Sequence, residues 1–128
     1  MNALLLISYI VFIWFVLLHT LEEIACDIME TQIGHIHMTR NKYLLGVAAI
    51  STLNLTTLSL LILNIRIGAY LGLFCTAVFG IFQAIVHTVG YFKEHRKCRG
   101  LGAGFYSAIP LAVIGLITFL QLLNIIIN

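Results

Sequence analysis

Charged side chains are scarce in this sequence. Only 9% of its 128 residues are Asp, Glu, Lys or Arg, whereas soluble globular domains carry about 25%. Hydrophobic residues make up 61% of the chain, and its mean hydropathy is +1.05. Such a composition excludes an ordinary soluble domain and a basic surface for nucleic acid, so we expect no nucleic-acid partner.

Cysteine is also rare. The three cysteines, Cys26, Cys75 and Cys98, are far apart and form no Cys-x-x-Cys pair. An odd number of isolated cysteines argues against a disulfide framework. We therefore expect none, and Cys98, in a basic loop, is either an incidental thiol or a lipidated or reactive one.

Long apolar runs are abundant instead. Four stretches carry no acidic or basic residue: Met1–Thr20, Tyr43–Ile65, Ile67–Phe92 and Gly100–Asn128. Each suffices to cross a bilayer, which takes about 20 helical residues, and backbone groups in lipid must be satisfied within a helix. We predict an all-α integral membrane four-helix bundle with short loops. It forms a single domain over residues 1–128, with helices at about 2–24, 43–64, 67–92 and 101–126.

The basic residues indicate an orientation. Six follow the first or third predicted helix: Arg40, Lys42, Lys93, Arg96, Lys97 and Arg99. Only Arg66 lies between the second and third. Because Lys and Arg concentrate in cytoplasmic loops, we expect a multi-pass protein, in the cell membrane, with loops one and three cytoplasmic and both termini outside.

An ionisable cluster ends the first predicted helix. His19, Glu22 and Glu23 are spaced i, i+3 and i+4, which places them on one side of a helix. A carboxylate buried unpaired in lipid costs several kcal/mol. The two glutamates therefore need water, protons or a shared cation, and the cluster marks a candidate site.

The matching end of the third predicted helix is also polar, with Gln83, His87 and Tyr91. At a rise of 1.5 Å per residue, His19 and His87 both lie about 7 Å from the cytoplasmic boundary. Tyr106 and Ser107 enter the membrane at the same level from loop three. We therefore expect the histidines, glutamates and phenols to share one layer of the bundle.

Helix bundles commonly build metal sites from Glu and His on facing helices. We predict four ligands for a divalent zinc, iron or manganese ion: His19, Glu22, Glu23 and His87. A haem between the two histidines is a weaker version. A metal with an open position activates water or polarises an oxygen, which would suit a lipid-like or small apolar substrate. Glu22 and Glu23 would then be catalytic, with Tyr91 or Tyr106 orienting the substrate or donating a proton.

Other interpretations stay open at this point. A buried carboxylic acid beside a histidine makes a metal-free acid–base pair. Intramembrane ionisable groups also form proton or ion relays, so a non-enzymatic transport or partner-binding protein is the main alternative. The same residues also suit simple interhelical pairs. The sequence does not decide whether the chain is an enzyme, nor whether His35 and His37 take part as a metal pair.

Two further features bear on packing. A stripe of small residues follows the third predicted helix: Gly68, Gly72, Thr76, Gly80, Ala84 and Thr88. Such stripes let another backbone approach closely, so we expect helix packing there and, as a second use, a homo-oligomer. Asn54, in the middle of the second helix, either bonds to a neighbouring helix or lines the deep wall of the site.

The ionisable cluster also carries a resemblance to a known family. His19-x-x-Glu22-Glu23, in a small all-helical membrane chain, resembles the HXXEE domain family. That family has a histidine in a later helix, four residues after an Asn; His87 matches it, with Gln83 in place of the Asn. Where the family has Pro-Gly before the last helix, this chain has Arg99–Gly100. The resemblance spans most of the chain and implies a divergent member of a multi-helix membrane family of unassigned function, with the four predicted ligands acting together.

Overall fold

A computed structural model describes residues 3–26, 32–33, 35–95, 98 and 100–127. The elements follow in this order: α1 (Ala3–Ala25), β1 (Gln32–Ile33), β2 (Ile36–His37), α2 (Arg40–Ile62), α3 (Arg66–Cys75), a π-helix (Thr76–Phe82), α4 (Gln83–Lys93), a 3-10 turn (Gly100–Gly102) and α5 (Phe105–Ile127). The two strands form one short antiparallel hairpin. Apart from this hairpin and the connecting turns the described chain is helical, and the predicted all-α four-helix fold is confirmed.

Four helical spans are long and apolar enough to cross a membrane. The third span, Arg66–Lys93, joins α3, the π-helix and α4 into 28 residues, and each of the others has 23. Large apolar side chains point outward from them, including Trp14 and Leu45. An outward apolar surface of this kind fits a lipid bilayer. The orientation across it stays a prediction, and Arg96, Lys97 and Arg99 lie outside the described residues.

Local sequence sets the tight connection between α2 and α3. Asn64 has a left-handed φ of 56°, a conformation that Asn adopts more readily than most residues. The chain therefore reverses within residues 63–65. A Cβ on Gly68 would lie 2.8 Å from the Cβ of Leu60, so the start of α3 packs directly against the end of α2.

The other glycines of the small-residue stripe also pack inside the chain. A Cβ on Gly72 would lie 2.8 Å from Cδ1 of Leu122, and one on Gly80 would lie 3.1 Å from Cε2 of Phe12. The predicted helix packing is thus present, and these glycines supply no free surface for a second copy. A homo-oligomer stays a prediction, and the glycine stripe no longer supports it.

Asn54 joins two helices. Its Oδ1 accepts a hydrogen bond of 3.1 Å from the Tyr9 hydroxyl of α1, and its Nδ2 donates to the carbonyl of Ile50 in its own helix at 2.9 Å. Both polar atoms of the buried amide are therefore satisfied. Of the two roles expected for Asn54, the structure shows the interhelical bond.

Cys26 and Cys98 form a disulfide, with their Cα atoms 5.2 Å apart. The expectation of no disulfide was therefore wrong. The two cysteines are 72 residues apart in sequence, and only the packing of the helices brings them together. The bond ties the end of α1 to the segment before the 3-10 turn. Disulfides are rare in the cytosol, so finding this pair oxidised in cells would argue against a cytoplasmic position for loops one and three; the orientation stays a prediction.

Candidate metal centre

Three buried side chains converge between α1 and α4. Nε2 of His19 lies 3.2 Å from Nε2 of His87. Oε1 of Glu23 lies 3.4 Å from Nε2 of His87 and 3.7 Å from Nε2 of His19. The exposed fractions of the three residues are only 4% for His19, 8% for Glu23 and 2% for His87. These three side chains form a group that could hold a metal ion.

The spacing of the three atoms matches the edges of a coordination tetrahedron. Zinc binds His nitrogen and carboxylate oxygen at about 2.0–2.2 Å, so two of its tetrahedral ligands lie about 3.3–3.5 Å apart. The three observed separations, 3.2, 3.4 and 3.7 Å, bracket this value. The group therefore approximates three corners of such a site, and its fourth corner is left to another ligand.

The π-helix sets the direction in which α4 presents its polar side chains. It ends at Phe82, immediately before Gln83. A π-turn holds more residues than an α-turn, and short π segments occur frequently at functional sites. Since each α-helical residue turns the chain by about 100°, one residue more or fewer before α4 would rotate His87 away from α1.

Each imidazole is held through its Nδ1 atom, and both Nε2 atoms point into the group. Nδ1 of His19 lies 3.0 Å from the Ser107 hydroxyl, which can accept from Nδ1–H while it donates to the carbonyl of Gly104 at 3.3 Å. Nδ1–H of His87 donates to the carbonyl of Leu101, also at 3.0 Å. Metal-binding histidines characteristically donate their second ring N–H in this way.

Gln83 bridges the two imidazoles. Its Nε2 lies 3.1 Å from Nε2 of His19 and 3.1 Å from Nε2 of His87. A carboxamide nitrogen has two N–H donors, so one side chain satisfies both lone pairs. An ion held by the two imidazoles would replace these two hydrogen bonds and leave the Gln83 amide next to it.

Tyr43 holds the second oxygen of Glu23. Its hydroxyl donates to Oε2 at 3.0 Å, and the carbonyl of Thr20 is a more distant acceptor at 3.3 Å. Tyr43 was not among the predicted site residues, since it is the first residue of the second predicted helix and no spacing relates it to Glu23. The only feature of the sequence that points to Tyr43 is its predicted depth in the membrane, which matches that of the two glutamates.

Glu22 points to a different partner. Its two carboxylate oxygens accept hydrogen bonds from the backbone N–H groups of Tyr106, at 3.1 Å, and Ser107, at 2.7 Å. These groups belong to the first turn of α5, where N–H groups lack helical partners and favour negative charge. The structure therefore brings Glu23 to the two histidines and places Glu22 as a cap on α5.

A cavity of about 360 Å³ lies beside the three candidate ligands. It lies between α1, α2 and the third span, and Leu101 and Leu111 also contribute to its wall. Its volume falls within the range typical of small-molecule sites. His19, Glu23 and His87 all line it, so a molecule in the cavity would lie next to an ion held by them.

No family model, curated protein or solved structure matches the chain. Its function therefore has to be inferred from the geometry of the site. That geometry is a buried group of two histidines and one carboxylate, each held by a second partner, next to a cavity.

The two tyrosines predicted for catalysis lie elsewhere. Tyr91 and Tyr106 contact each other through their hydroxyls at 3.1 Å, and Tyr91 stacks on Phe105 with ring centroids 4.0 Å apart. Neither residue lines the cavity, and Tyr106 is 66% exposed. They form part of an aromatic cluster at this end of the spans, of a kind that is common at membrane–water interfaces.

The predicted His35–His37 metal pair and a haem also find no place in this group. His35 and His37 are exposed in the hairpin segment and are not part of the buried group. Two axial histidines must lie on opposite faces of a haem, whereas the 3.2 Å between the two Nε2 atoms leaves no room for its plane.

Proposed function

We propose that this chain is an integral membrane metalloprotein that holds one divalent ion, zinc, iron or manganese, between His19, Glu23 and His87. The observation that carries the proposal is the convergence of two Nε2 atoms and one carboxylate oxygen at tetrahedral spacing in a buried layer. Each of the three ligands is also fixed through its other polar atom, which is how proteins orient metal ligands.

The donor set fits such an ion. Two imidazoles and one carboxylate are the ligands of many catalytic zinc sites and of the non-haem iron sites that keep open positions. Burial also favours a cation here, because a divalent ion would neutralise the Glu23 carboxylate in a layer with little contact to water. Glu22 needs no ion, since the start of α5 already stabilises its charge.

We further propose that the bound ion acts on a lipid-like or small apolar molecule in the adjacent cavity. When bound, the ion would supply a Lewis acid. His19, His87 and Glu23 would hold it, Tyr43 would orient Glu23, and Gln83 would contact a group at the open position. The same cluster supports the proposal that the chain is a divergent member of the HXXEE domain family.

Metal analysis of the purified protein tests the first proposal. The protein in lipid nanodiscs is stripped with a chelator, loaded separately with Zn²⁺, Fe²⁺ or Mn²⁺, desalted and measured by mass spectrometry of the elements. We expect about one ion per chain for at least one of the three metals, because three protein ligands suffice for a catalytic site. His19→Ala, Glu23→Gln and His87→Ala should each abolish this content.

His37→Ala is the matched control, since it removes an exposed histidine from the hairpin. It should retain the ion. Circular dichroism of every variant establishes that the helices are intact, so a folded His87→Ala protein that still binds metal like the wild type would overturn the proposal. Wild-type protein that binds none of the three metals would do the same.

A further inference from the structure

The cavity is polar at one end and apolar at the other. Lys42 and Tyr43 line it near the start of α2, at the level of the candidate ligands. Its deeper wall is mainly apolar, with Val16, Ile50 and Phe79 beside Ser51, and these residues lie about one to two helical turns, or roughly 5–12 Å, further into their spans. A molecule that fills the cavity therefore meets polar groups near the membrane surface and hydrocarbon towards the bilayer centre.

The cavity also borders the outer surface of the spans. Phe82 lines it and has a side chain that is 60% exposed on the third span, at a position that faces lipid. The opposite wall is α2, which contributes Val47 and Ser51. A molecule dissolved in the bilayer can therefore enter between α2 and the third span.

The charged groups that line the polar end become net positive once the proposed ion is bound. Two neutral imidazoles and one carboxylate leave one positive charge on a divalent ion. Lys42 adds a second, and its Nζ is held at the rim by a 3.1 Å hydrogen bond to the carbonyl of His37. Ligands are favoured where their charge complements that of the site, so an anionic group fits this end.

From this polarity, side opening and charge we propose that the cavity binds a single-chain amphiphile with an anionic head, of the class of long-chain carboxylates. The head lies between Lys42 and the ion, and the chain runs along Ile50 and Phe79 towards the bilayer centre. This inference rests on the proposed function, because the ion supplies half of the positive charge.

Gly46 allows the chain's position to be tested without touching the ligands. It lines the cavity, and a Cβ added there would meet nothing within 4 Å. A leucine at this position can therefore extend into the empty space, and it favours the helix more than glycine does. Gly46→Leu should thus occupy the cavity while α2 and the metal ligands stay in place.

The experiment uses palmitic acid that carries a photoactivatable diazirine, with the protein in phosphatidylcholine nanodiscs. Labelling is quantified by mass spectrometry, and metal content is measured on the same samples. We expect labelling to fall about tenfold in Gly46→Leu, as overfilling a site costs 1–3 kcal/mol. It should fall about fivefold in Lys42→Met, since the loss of one partly exposed charge pair costs about 1 kcal/mol.

Two variants serve as controls. Lys42→Arg keeps the charge at the rim, and Lys93→Met removes an exposed charge from the last turn of α4 outside the cavity. Both should be labelled like the wild type. Unlabelled palmitate should compete with the probe, whereas hexadecanol, which lacks the charge, should compete weakly.

The outcomes separate this inference from the proposed function. Labelling that is unchanged in Gly46→Leu, or equal in Lys42→Met and Lys93→Met, overturns the inference even if the wild type holds its ion. Wild-type protein without metal whose labelling still responds to Gly46→Leu overturns the proposed function and leaves a chain-binding cavity.

Discussion

The Tyr43 hydroxyl offers the sharpest test of the candidate metal centre, because it touches the site only through Glu23. Replacing Tyr43 with Phe removes one oxygen from a residue that is buried at the start of α2. The ring remains to fill the same space. Oε2 of Glu23 loses a hydrogen bond of 3.0 Å. Oε1, the carboxylate oxygen nearest the two histidines, is not altered directly.

Two independent estimates give the same size of effect. Removing a hydrogen-bond donor to a charged group costs about 1.5–3 kcal/mol. Loss of a group that orients a metal ligand lowers metal affinity by about 10–100-fold, which corresponds to about 1.4–2.7 kcal/mol. We therefore expect Tyr43→Phe to bind its ion about 10–100-fold more weakly than the wild type.

Competition against a chromophoric chelator measures this affinity in nanodiscs. Tyr70→Phe is the control, since Tyr70 is a half-exposed tyrosine of α3 at the opposite end of the spans. It should match the wild type. If Tyr43→Phe also stays within about twofold, its hydrogen bond does not orient a ligand, and the proposed role of Glu23 fails with it.

Two further predictions concern the segments that support the site. Gly104→Ala should lower metal affinity by about tenfold or more, because its Cβ would lie 2.5 Å from Cε1 of His19. Gly46→Ala is the control: its Cβ would meet open space, so the metal affinity measured by chelator competition should not change. Peptide mapping without reductant should recover Cys26 linked to Cys98. After reduction, the charge-based orientation predicts that a membrane-impermeant maleimide reaches Cys98 only in permeabilised cells. Labelling of Cys98 in intact cells would place this end of the spans outside.

Depth in the membrane was predictable from the sequence, since every helical residue advances by the same 1.5 Å. Four uncharged runs therefore located the spans, and counting from their ends placed His19 and His87 in one layer. The direction in which a side chain points was harder to predict. Glu22 and Glu23 differ by only one residue, yet about 100° of rotation separates a cap on α5 from a candidate ligand.

The choice among the tyrosines failed for the same reason. Tyr43, Tyr91 and Tyr106 all lie near one level, and only their rotational positions decide which hydroxyl reaches Glu23. The π-helix adds to the problem, because it resets the rotation of α4 and nothing in the run Thr76–Phe82 marks it in composition. The disulfide depended on the meeting of two loops, which no helical periodicity describes.

Gln83 explains how such a site can exist before an ion arrives. Two imidazole lone pairs and a carboxylate would otherwise face one another in a buried layer, and the two N–H groups of this amide satisfy both imidazoles. Giving up two such bonds costs about 1–3 kcal/mol, whereas structural zinc sites bind with about 10–16 kcal/mol. The amide can therefore stabilise the layer without an ion and still yield to one, so a folded metal-free protein is compatible with a metal-binding function.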